Sequence, residues 1–432
     1  MDKIYYNAEF TIVDASGADA SHGLAGISHV SRSQQYEEVG NVKFIQGACH
    51  TKFLLKDSPW ASRGWTLQES ILSRRRIIFT KHGVSYLCNS MNMVEWERLP
   101  LHTYGWGPTR SENSFETFML VQDPPSKRPE SHHAQINISA SASMIEGYTE
   151  RQLTRQEDAF NACRGILNFL RDSSRHTLWG IPATPWSICL AWRHMEPTPR
   201  VAGFPSWSFL GWQGRIHHLA AGELCITSKA YLGGVDPNNR YYDLDQIENI
   251  SPENILRDEE DQECELRYLH LTEYVIDLPL VYMDWTNNGW MQNREPEAEP
   301  TVYASLKVTQ NITLLARVQL DSEDLSGRTR GLVIKEPCNP YKPTTQVLKV
   351  LVIKDHGSFY ERIGLIYTYG SREFDMDSCY SHVYINQAGD IIPKLNPKDL
   401  QAKESDQRSP WEKYFHVPLW YKEAKKETII LG

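Results

Sequence analysis

The chain has 432 residues, more than one hydrophobic core usually accommodates, so we expect two or more domains. Hydrophobic residues make up 41% and charged residues 23%, which is typical of a globular protein and excludes a disordered one. The net charge of -9 provides no basic surface of the kind that binds DNA or RNA, so we expect no nucleic-acid partner.

Neither a membrane segment nor a cysteine cluster is indicated. No run approaches the roughly 18 to 20 apolar residues of a membrane-spanning helix, and the first residues lack the apolar core of a signal peptide. The eight cysteines are scattered singly, without the C-x-x-C spacing of zinc and redox sites. We therefore expect a cytoplasmic protein with reduced cysteines, no metal, no resident cofactor and no membrane span.

The first residues predict the end of a helix followed by a strand. Ile4, Tyr5 and Ala8 are typical of a helix, and the run "FTIVDA" after them is rich in β-branched and aromatic residues. A loop with Gly, Ser and Asp follows the strand. Ligands often bind at such loops of α/β sheets, although neither G-x-G-x-x-G nor a P-loop pattern is present.

The segment "DSPWASRGWTLQESILS" predicts a helix. Ser58 followed by Pro59 is typical of a helix N-terminus. Trp65, Glu69 and Leu72 then recur at spacings of four and three, which places them on one helical face.

Two strand-length runs come next, "RRIIFT" and "VSYLCN". Lys81-His82-Gly83 separates them and is typical of a hairpin turn. The basic run Arg74-Arg75-Arg76 lies where the first strand begins. So short a run is usual on a solvated face or at a helix C-terminus, and phosphate binding is the alternative.

Further along, residues 105–143 are rich in Pro and Ser, which predicts a surface loop or linker. A helix with one apolar stripe follows, formed by Phe160, Cys163, Leu167 and Leu170. A Trp-rich run then begins, for which we expect buried packing, with a ligand cage as the alternative. Its tryptophans are Trp179, Trp186, Trp192, Trp207 and Trp212.

From about residue 215 the chain consists mainly of strand-length runs separated by turn residues. The predicted organisation has four parts. They are a first α/β part at 1–104, the loop or linker at 105–143, a helical and Trp-rich segment at 144–214, and a β-rich C-terminal region at 215–432.

Several stretches resemble one family, the fungal heterokaryon incompatibility (HET) domain proteins. The two main ones are "IYYNAEFTIVDASGADASHGLAG" and "SRGWTLQESILSRRRIIFTKHGVSYLC". "LTRQEDAFNACRGIL", "WGIP", "FPSWSFLGWQG" and "YERIGLI" are similar to segments that follow the domain in long members. The family's first strand, its helix and its Asp-x-Leu-Cys-Ile-x-Gln segment have no counterpart here. The resemblance therefore implies that only the C-terminal half of a HET domain is present.

HET domains are in turn similar to TIR domains, which have a flavodoxin-like sheet. The resemblance implies a truncated TIR-like α/β part followed by a mixed α+β, strand-rich C-terminal region. Some TIR domains cleave NAD⁺ with the Glu of a Trp-x-x-x-Glu motif, and Trp65 to Glu69 matches that motif. The resemblance thus implies that Glu69 is catalytic, that Trp65 walls the pocket, and that NAD⁺ is the substrate.

This role is chemically reasonable for a carboxylate. Loss of nicotinamide leaves an oxocarbenium-like ribosyl centre, and a neighbouring carboxylate stabilises its positive charge, as in glycoside hydrolysis. The alternative is structural, with Trp65 in the core and Glu69 bonded to Arg63 or to one of the arginines 74–76.

The sequence leaves three functions open. The first is a HET-related role in nonself recognition (heterokaryon incompatibility) or regulated cell death. The second is an NAD⁺ glycohydrolase that uses Glu69, and the third is a non-catalytic scaffold or degenerate paralogue. The expected partner is a second copy of the chain or another incompatibility protein.

Overall fold

The computed structural model describes most of the chain, in two compact units, Met1–Gly180 and Ile181–Gly432. The predicted linker at 105–143 and Trp186 lie outside the described residues. The described residues are 2–27, 29–33, 36–45, 51–88, 91–95, 144–172, 176–184, 187–217, 230–236, 240–244, 265–283, 301–308, 310–335, 347–369, 382–390, 392 and 423–432.

The first unit is built on a four-stranded mixed sheet. The strands of the unit are Thr11–Asp14 (β1), Tyr36–Val39 (β2), Val42–Ile45 (β3), Arg75–Thr80 (β4), Gly83–Cys88 (β5), Met91–Val94 (β6) and Thr177–Leu178 (β7). The sheet has the order β1-β4-β5-β6, in which β1 and β4 run parallel and the other neighbours antiparallel. The predicted hairpin is confirmed, with Thr80 opposite Gly83 at its turn. Strands β2 and β3 form a separate two-stranded hairpin.

Short to medium helices accompany this sheet. Among them are Asp2–Asn7 (α1), Thr51–Lys56 (α2), Pro59–Ser62 (α3), Thr66–Leu72 (α4) and Ala159–Asp172 (α5), and residues 144–149 are also helical. Helices α1, α4 and α5 pack against one another. The predicted apolar stripe of α5 is confirmed, because its four residues are all buried.

The helix predicted after Ser58 is interrupted. The predicted N-cap is confirmed, since Ser58 Oγ accepts a hydrogen bond of 3.1 Å from the Ala61 N–H. However, α3 ends at Ser62, and α4 begins only at Thr66. The break has a physical cause in a distant part of the chain: Gln152 N–H donates to Ser62 O, and Gly64 N–H donates to Gln152 O. This pairing keeps the backbone extended between the two helices.

The second unit is strand-rich, as predicted. Its strands are Ile181–Thr184 (β8), Ser187–Ile188 (β9), Ala230–Gly233 (β10), Arg240–Asp243 (β11), Tyr268–Asp277 (β12), Leu280–Met283 (β13), Thr301–Lys307 (β14), Ile312–Arg317 (β15), Gln319–Leu320 (β16), Thr329–Lys335 (β17), Val347–Asp355 (β18), Tyr360–Tyr369 (β19), His382–Asn386 (β20) and Lys425–Leu431 (β21). A large mixed sheet has the order β11-β10-β12-β17-β18-β19-β16, and β21 pairs with both β12 and β19. A four-stranded sheet, β13-β14-β15-β20, shares one apolar core with it.

The tryptophans of this unit confirm the expectation of buried packing. Trp192, Trp207 and Trp212 are all buried. Trp192 packs against an ion pair, in which Arg362 Nε donates to Asp321 Oδ2 at 2.8 Å while the guanidinium lies 3.3 Å from the centre of the Trp192 ring. Both charged groups are fully buried, so this part of the core contains a desolvated but paired charge.

The fold class expected from the sequence is therefore confirmed. The first unit has a mixed sheet with a parallel pair and helices, and the second is dominated by strands. Among the helices of the described residues, none combines the length and apolar character needed to cross a bilayer.

Candidate functional site

The Glu69 carboxylate lies between two aromatic donors on neighbouring helices. Glu69 is a half-buried residue of α4. Its Oε1 atom accepts a hydrogen bond of 3.1 Å from the Tyr5 hydroxyl of α1, and its Oε2 atom accepts one of 3.0 Å from the Trp60 indole N–H of α3. Both carboxylate oxygens are therefore oriented by side chains from outside α4.

Trp60 attaches this carboxylate to the core of the first unit. The Trp60 side chain is buried and belongs to an apolar cluster built around strands β1 and β4. A buried tryptophan normally needs an acceptor for its indole N–H, and Glu69 provides it. The other buried residues of this cluster are Val13, Ala15, Leu55, Ile78 and Leu87.

Trp65 lies at the start of α4, one turn before Glu69. Trp65 is half-buried and occupies the N-cap position of α4, immediately before the first helical residue. The indole that donates to Glu69 is that of Trp60, nine residues away in sequence, and not that of Trp65. The role of Trp65 as a pocket wall stays a prediction.

The hydrogen bonds of the basic run, as far as the described residues show them, go to other partners than Glu69. Arg75 pairs with the exposed Glu9 at 3.3 Å, and the Arg74 guanidinium lies 5.8 Å from the centre of the Tyr6 ring. The structural alternative for Glu69 therefore operates through Tyr5 and Trp60 rather than through these arginines.

Arg76, the third arginine of the run, has a structural position at the end of α4. Its side chain is fully buried and donates to the carbonyl oxygen of Ser70, in the last turn of the helix. A cation at a helix C-terminus compensates the partial negative charge there. Burial lowers the pKa of Arg76 to about 10, so it remains charged at neutral pH. This position agrees with the helix C-terminus reading of the basic run.

The surroundings of the Tyr5 hydroxyl, including the charge of Glu69, keep this hydroxyl protonated. Burial and, after it, the negative charge of Glu69 raise the pKa of Tyr5 to about 12. The phenol therefore keeps its proton at neutral pH and can donate it to the carboxylate only as a hydrogen bond. Such a carboxylate can stabilise a positive charge that develops next to it.

A cation lies near the same carboxylate. Arg151 Nη1 donates to the Arg63 carbonyl at 3.2 Å and to Thr66 Oγ1 at 3.1 Å. Burial lowers the pKa of Arg151 to about 10, and the charges of Glu150 and Glu69 partly oppose this shift. Arg151 thus stays protonated and binds the Arg63 carbonyl and the Thr66 hydroxyl, next to the start of α4, by hydrogen bonds.

A second constellation lies at the carboxyl end of β1, and sequence reasoning did not single out its residues. Asp14 Oδ1 accepts hydrogen bonds from the N–H groups of Ser16 and Gly17, and Asp14 Oδ2 lies 3.0 Å from His22 Nδ1. The hydrogen bond to Asp14 raises the pKa of His22. The sequence predicted only the loop, because no regular spacing indicates which residues come into contact across a turn.

Metal binding finds no support in the part of the chain that the structure describes, where no three His, Cys, Asp or Glu residues converge on a common point. The arrangement around Glu69 instead contains a half-exposed carboxylate, two aromatic hydrogen-bond donors and one nearby cation.

Comparison with known families agrees with the resemblance noted in the sequence. Residues 1–69 match the family described as heterokaryon incompatibility protein (HET), so the matched stretch contains Tyr5 and Trp60 and ends at Glu69. This match confirms the predicted partial HET domain at the N-terminus. No curated protein and no solved structure matches the chain.

Proposed function

We propose that this chain, whose residues 1–69 are part of a HET domain, acts in nonself recognition (heterokaryon incompatibility) or in regulated cell death in the cytoplasm. The observation that carries the proposal is the family match, which includes the whole hydrogen-bonded group around Glu69. We further propose that the chain acts by associating with a second copy or with another incompatibility protein.

Expression in a fungal host tests this role. The full chain is placed under an inducible promoter, and colony growth and cell viability are compared with those of the empty vector. We expect growth arrest or altered incompatibility on induction. Normal growth and an unchanged incompatibility response, at a verified protein level, would contradict the proposal.

The geometry of Glu69 favours one enzymatic candidate, an NAD⁺ glycohydrolase. Both oxygens of this half-exposed carboxylate are oriented by Tyr5 and Trp60. In the proposed reaction the bond between ribose and nicotinamide breaks, and its electron pair leaves with nicotinamide. Glu69 stabilises the positive ribosyl centre, and water then adds to it, which gives ADP-ribose and a proton.

A direct assay tests this candidate. Purified full-length protein is incubated with NAD⁺, and released nicotinamide is measured for the wild type and for Glu69→Gln. The matched control is Glu9→Gln, because Glu9 is an exposed carboxylate paired with Arg75. We expect release by the wild type and by the control, and at least a 100-fold lower rate with Glu69→Gln, on the scale of about 10²-fold for loss of a transition-state contact.

Two results would remove the enzymatic candidate. They are equal rates for the wild type and Glu69→Gln, and no release by any of the proteins. The third function, a non-catalytic scaffold or degenerate paralogue, would then explain a folded protein that does not hydrolyse NAD⁺. Saturable binding of a protein partner would support this third function.

A further inference from the structure

Strand β1 forms an edge of the four-stranded sheet. It pairs with β4 on one side, and none of the strands that the structure describes lies on its other side. Ala15 N–H donates to Phe79 O at 2.9 Å, and alternate residues of a strand turn their backbone groups in opposite directions. The N–H and C=O groups of Ile12 and Asp14 therefore point toward the open edge, which is a template for a further strand.

Apolar side chains are exposed along this edge. Phe10 and Ile12 are 51% and 52% exposed, and on α1, directly before the strand, Ile4 and Tyr6 are 67% and 47% exposed. Natural edge strands are commonly protected by charged residues, yet Asp14 is the only charged residue within β1. The edge thus offers both unpaired backbone groups and apolar contact area.

We propose that β1 pairs antiparallel with β1 of a second copy of this chain, across a two-fold axis at Ile12. In this register Ile12 lies opposite Ile12 of the second copy, and Thr11 lies opposite Val13. Because Ile12 turns its backbone groups outward, the two copies of Ile12 exchange both N–H···O=C bonds, as residues of a hydrogen-bonded antiparallel pair do. Residues directly opposite each other share a face, so the exposed Ile12 side chains meet.

The charges of β1 permit this pairing. The two Asp14 residues lie on opposite sides of the axis, about 14 Å apart at a rise of about 3.4 Å per residue. That separation exceeds the Debye length of about 8 Å at physiological salt, so their repulsion is screened. Glu9, just before the strand, is already paired with Arg75 at 3.3 Å.

The separate hairpin of β2 and β3 differs from β1 in its charges. Strand β2 carries the adjacent residues Glu37 and Glu38 at its centre. Antiparallel pairing of β2 with its own copy about either residue sets a glutamate opposite the same glutamate, which is destabilising. The charges therefore favour pairing of β1 with its own copy over pairing of β2 with its own copy.

This inference rests on the self-association part of the proposed function and names the surface that would carry it. The association is measured as molecular mass, independently of any cell phenotype or nicotinamide release. Its failure is therefore distinguishable from failure of the HET-related role.

The first test is sedimentation of the full-length protein over a range of concentrations. We expect the wild type to convert from monomer to dimer as concentration rises, and Ile12→Lys to remain monomeric because a lysine at the axis meets its own copy. The control is Val39→Lys, which alters an exposed residue of β2 and should dimerise like the wild type. Circular dichroism confirms that the variants are folded.

The second test fixes the register. Hydrogen-bonded antiparallel partners have Cα atoms about 5.5 Å apart, a separation that a disulfide spans. Under mild oxidation Ile12→Cys should therefore form a covalent dimer, whereas Phe10→Cys should not, because its two copies lie about 14 Å apart in this register. A wild type that is monomeric throughout, an Ile12→Lys that dimerises normally, or Phe10→Cys that cross-links as well as Ile12→Cys would overturn the proposal.

Discussion

The indole nitrogen of Trp60 lies 3.0 Å from Glu69 Oε2, although the two residues belong to different helices. This bond exists because the backbone stays extended between α3 and α4, where Gln152 pairs with Ser62 and Gly64. The orientation of the Glu69 carboxylate therefore depends on a contact with residue 152, far along the chain. Tyr5 completes the arrangement from α1.

Removal of the Tyr5 hydroxyl should weaken the first unit modestly. Tyr5→Phe keeps the ring but leaves Glu69 Oε1 without its donor. Because this carboxylate is half-exposed and water can replace the hydroxyl, we expect the free energy of unfolding to fall by about 1 kcal/mol. Urea denaturation measures this change.

The control for that experiment is Tyr6→Phe, since Tyr6 is 47% exposed and lies on the same helix. It should change the free energy of unfolding by less than about 0.5 kcal/mol. Equal destabilisation by both variants would show that the Tyr5–Glu69 bond contributes nothing specific.

Breaking the buried ion pair of the second unit should be severe. Arg362→Met removes the guanidinium from the fully buried Asp321 carboxylate, which keeps its contact of 2.9 Å with His194 Nδ1. Removal of one partner from a buried pair costs about 3 to 5 kcal/mol, because the remaining charge is uncompensated. Thermal and urea unfolding of the variant measure this loss.

Arg328→Met is the matched comparison, because Arg328 pairs with Asp277 at 2.7 Å on an exposed surface. Exposed pairs contribute about 0 to 1 kcal/mol, so this variant should unfold nearly as the wild type does. If Arg362→Met were as stable as Arg328→Met, the buried charge would be solvated in a way that the structure does not show.

The Asp14–His22 contact predicts a measurable titration. The hydrogen bond to Asp14 raises the pKa of His22 above its ordinary value of 6.5. The contact therefore stabilises the fold fully below pH 6.5, and its contribution is lost as the pH rises through the folded-state pKa. Nuclear magnetic resonance of labelled histidine rings measures the pKa.

In that measurement Asp14→Asn should lower the pKa of His22. Asp19→Asn should lower it less, because Asp19 acts on His22 only through its charge while Asp14 also accepts the hydrogen bond. An unchanged pKa in Asp14→Asn would contradict the observed contact. His22→Gln identifies the resonance.

The cysteines of the described residues should differ in reactivity. Cys163 and Cys189 are buried, whereas Cys88 is half-exposed. Burial also raises the pKa of the Cys163 thiol, so its reactive thiolate is scarce. Iodoacetamide should therefore modify Cys88 before the other two, as peptide mass mapping can follow. In urea the three cysteines should be modified at similar rates. Equal modification rates of the three cysteines in the native protein would contradict this order.

The sequence predicted local elements well where short-range patterns determine them. The hairpin of β4 and β5 and the apolar stripe of α5 follow from turn residues and helical periodicity, and the structure confirms both. The N-cap at Ser58 is also local and is confirmed.

The candidate site was less predictable, because it depends on long-range contacts. Helical spacing drew attention to Trp65, which lies one turn before Glu69 at the start of α4. The contact with Gln152 breaks the helix and allows Trp60 to reach the carboxylate. Likewise, no local pattern brings Tyr5 to Glu69 or His22 to Asp14.

Cell viability is the most direct measure of the proposed role of this chain in heterokaryon incompatibility or regulated cell death. The full-length protein is induced in a fungal host, its level is verified by immunoblot, and the fraction of dead cells is counted against the empty vector. We expect the fraction of dead cells to rise on induction of the wild type. Unchanged viability and an unchanged incompatibility response, at a verified protein level, would contradict it.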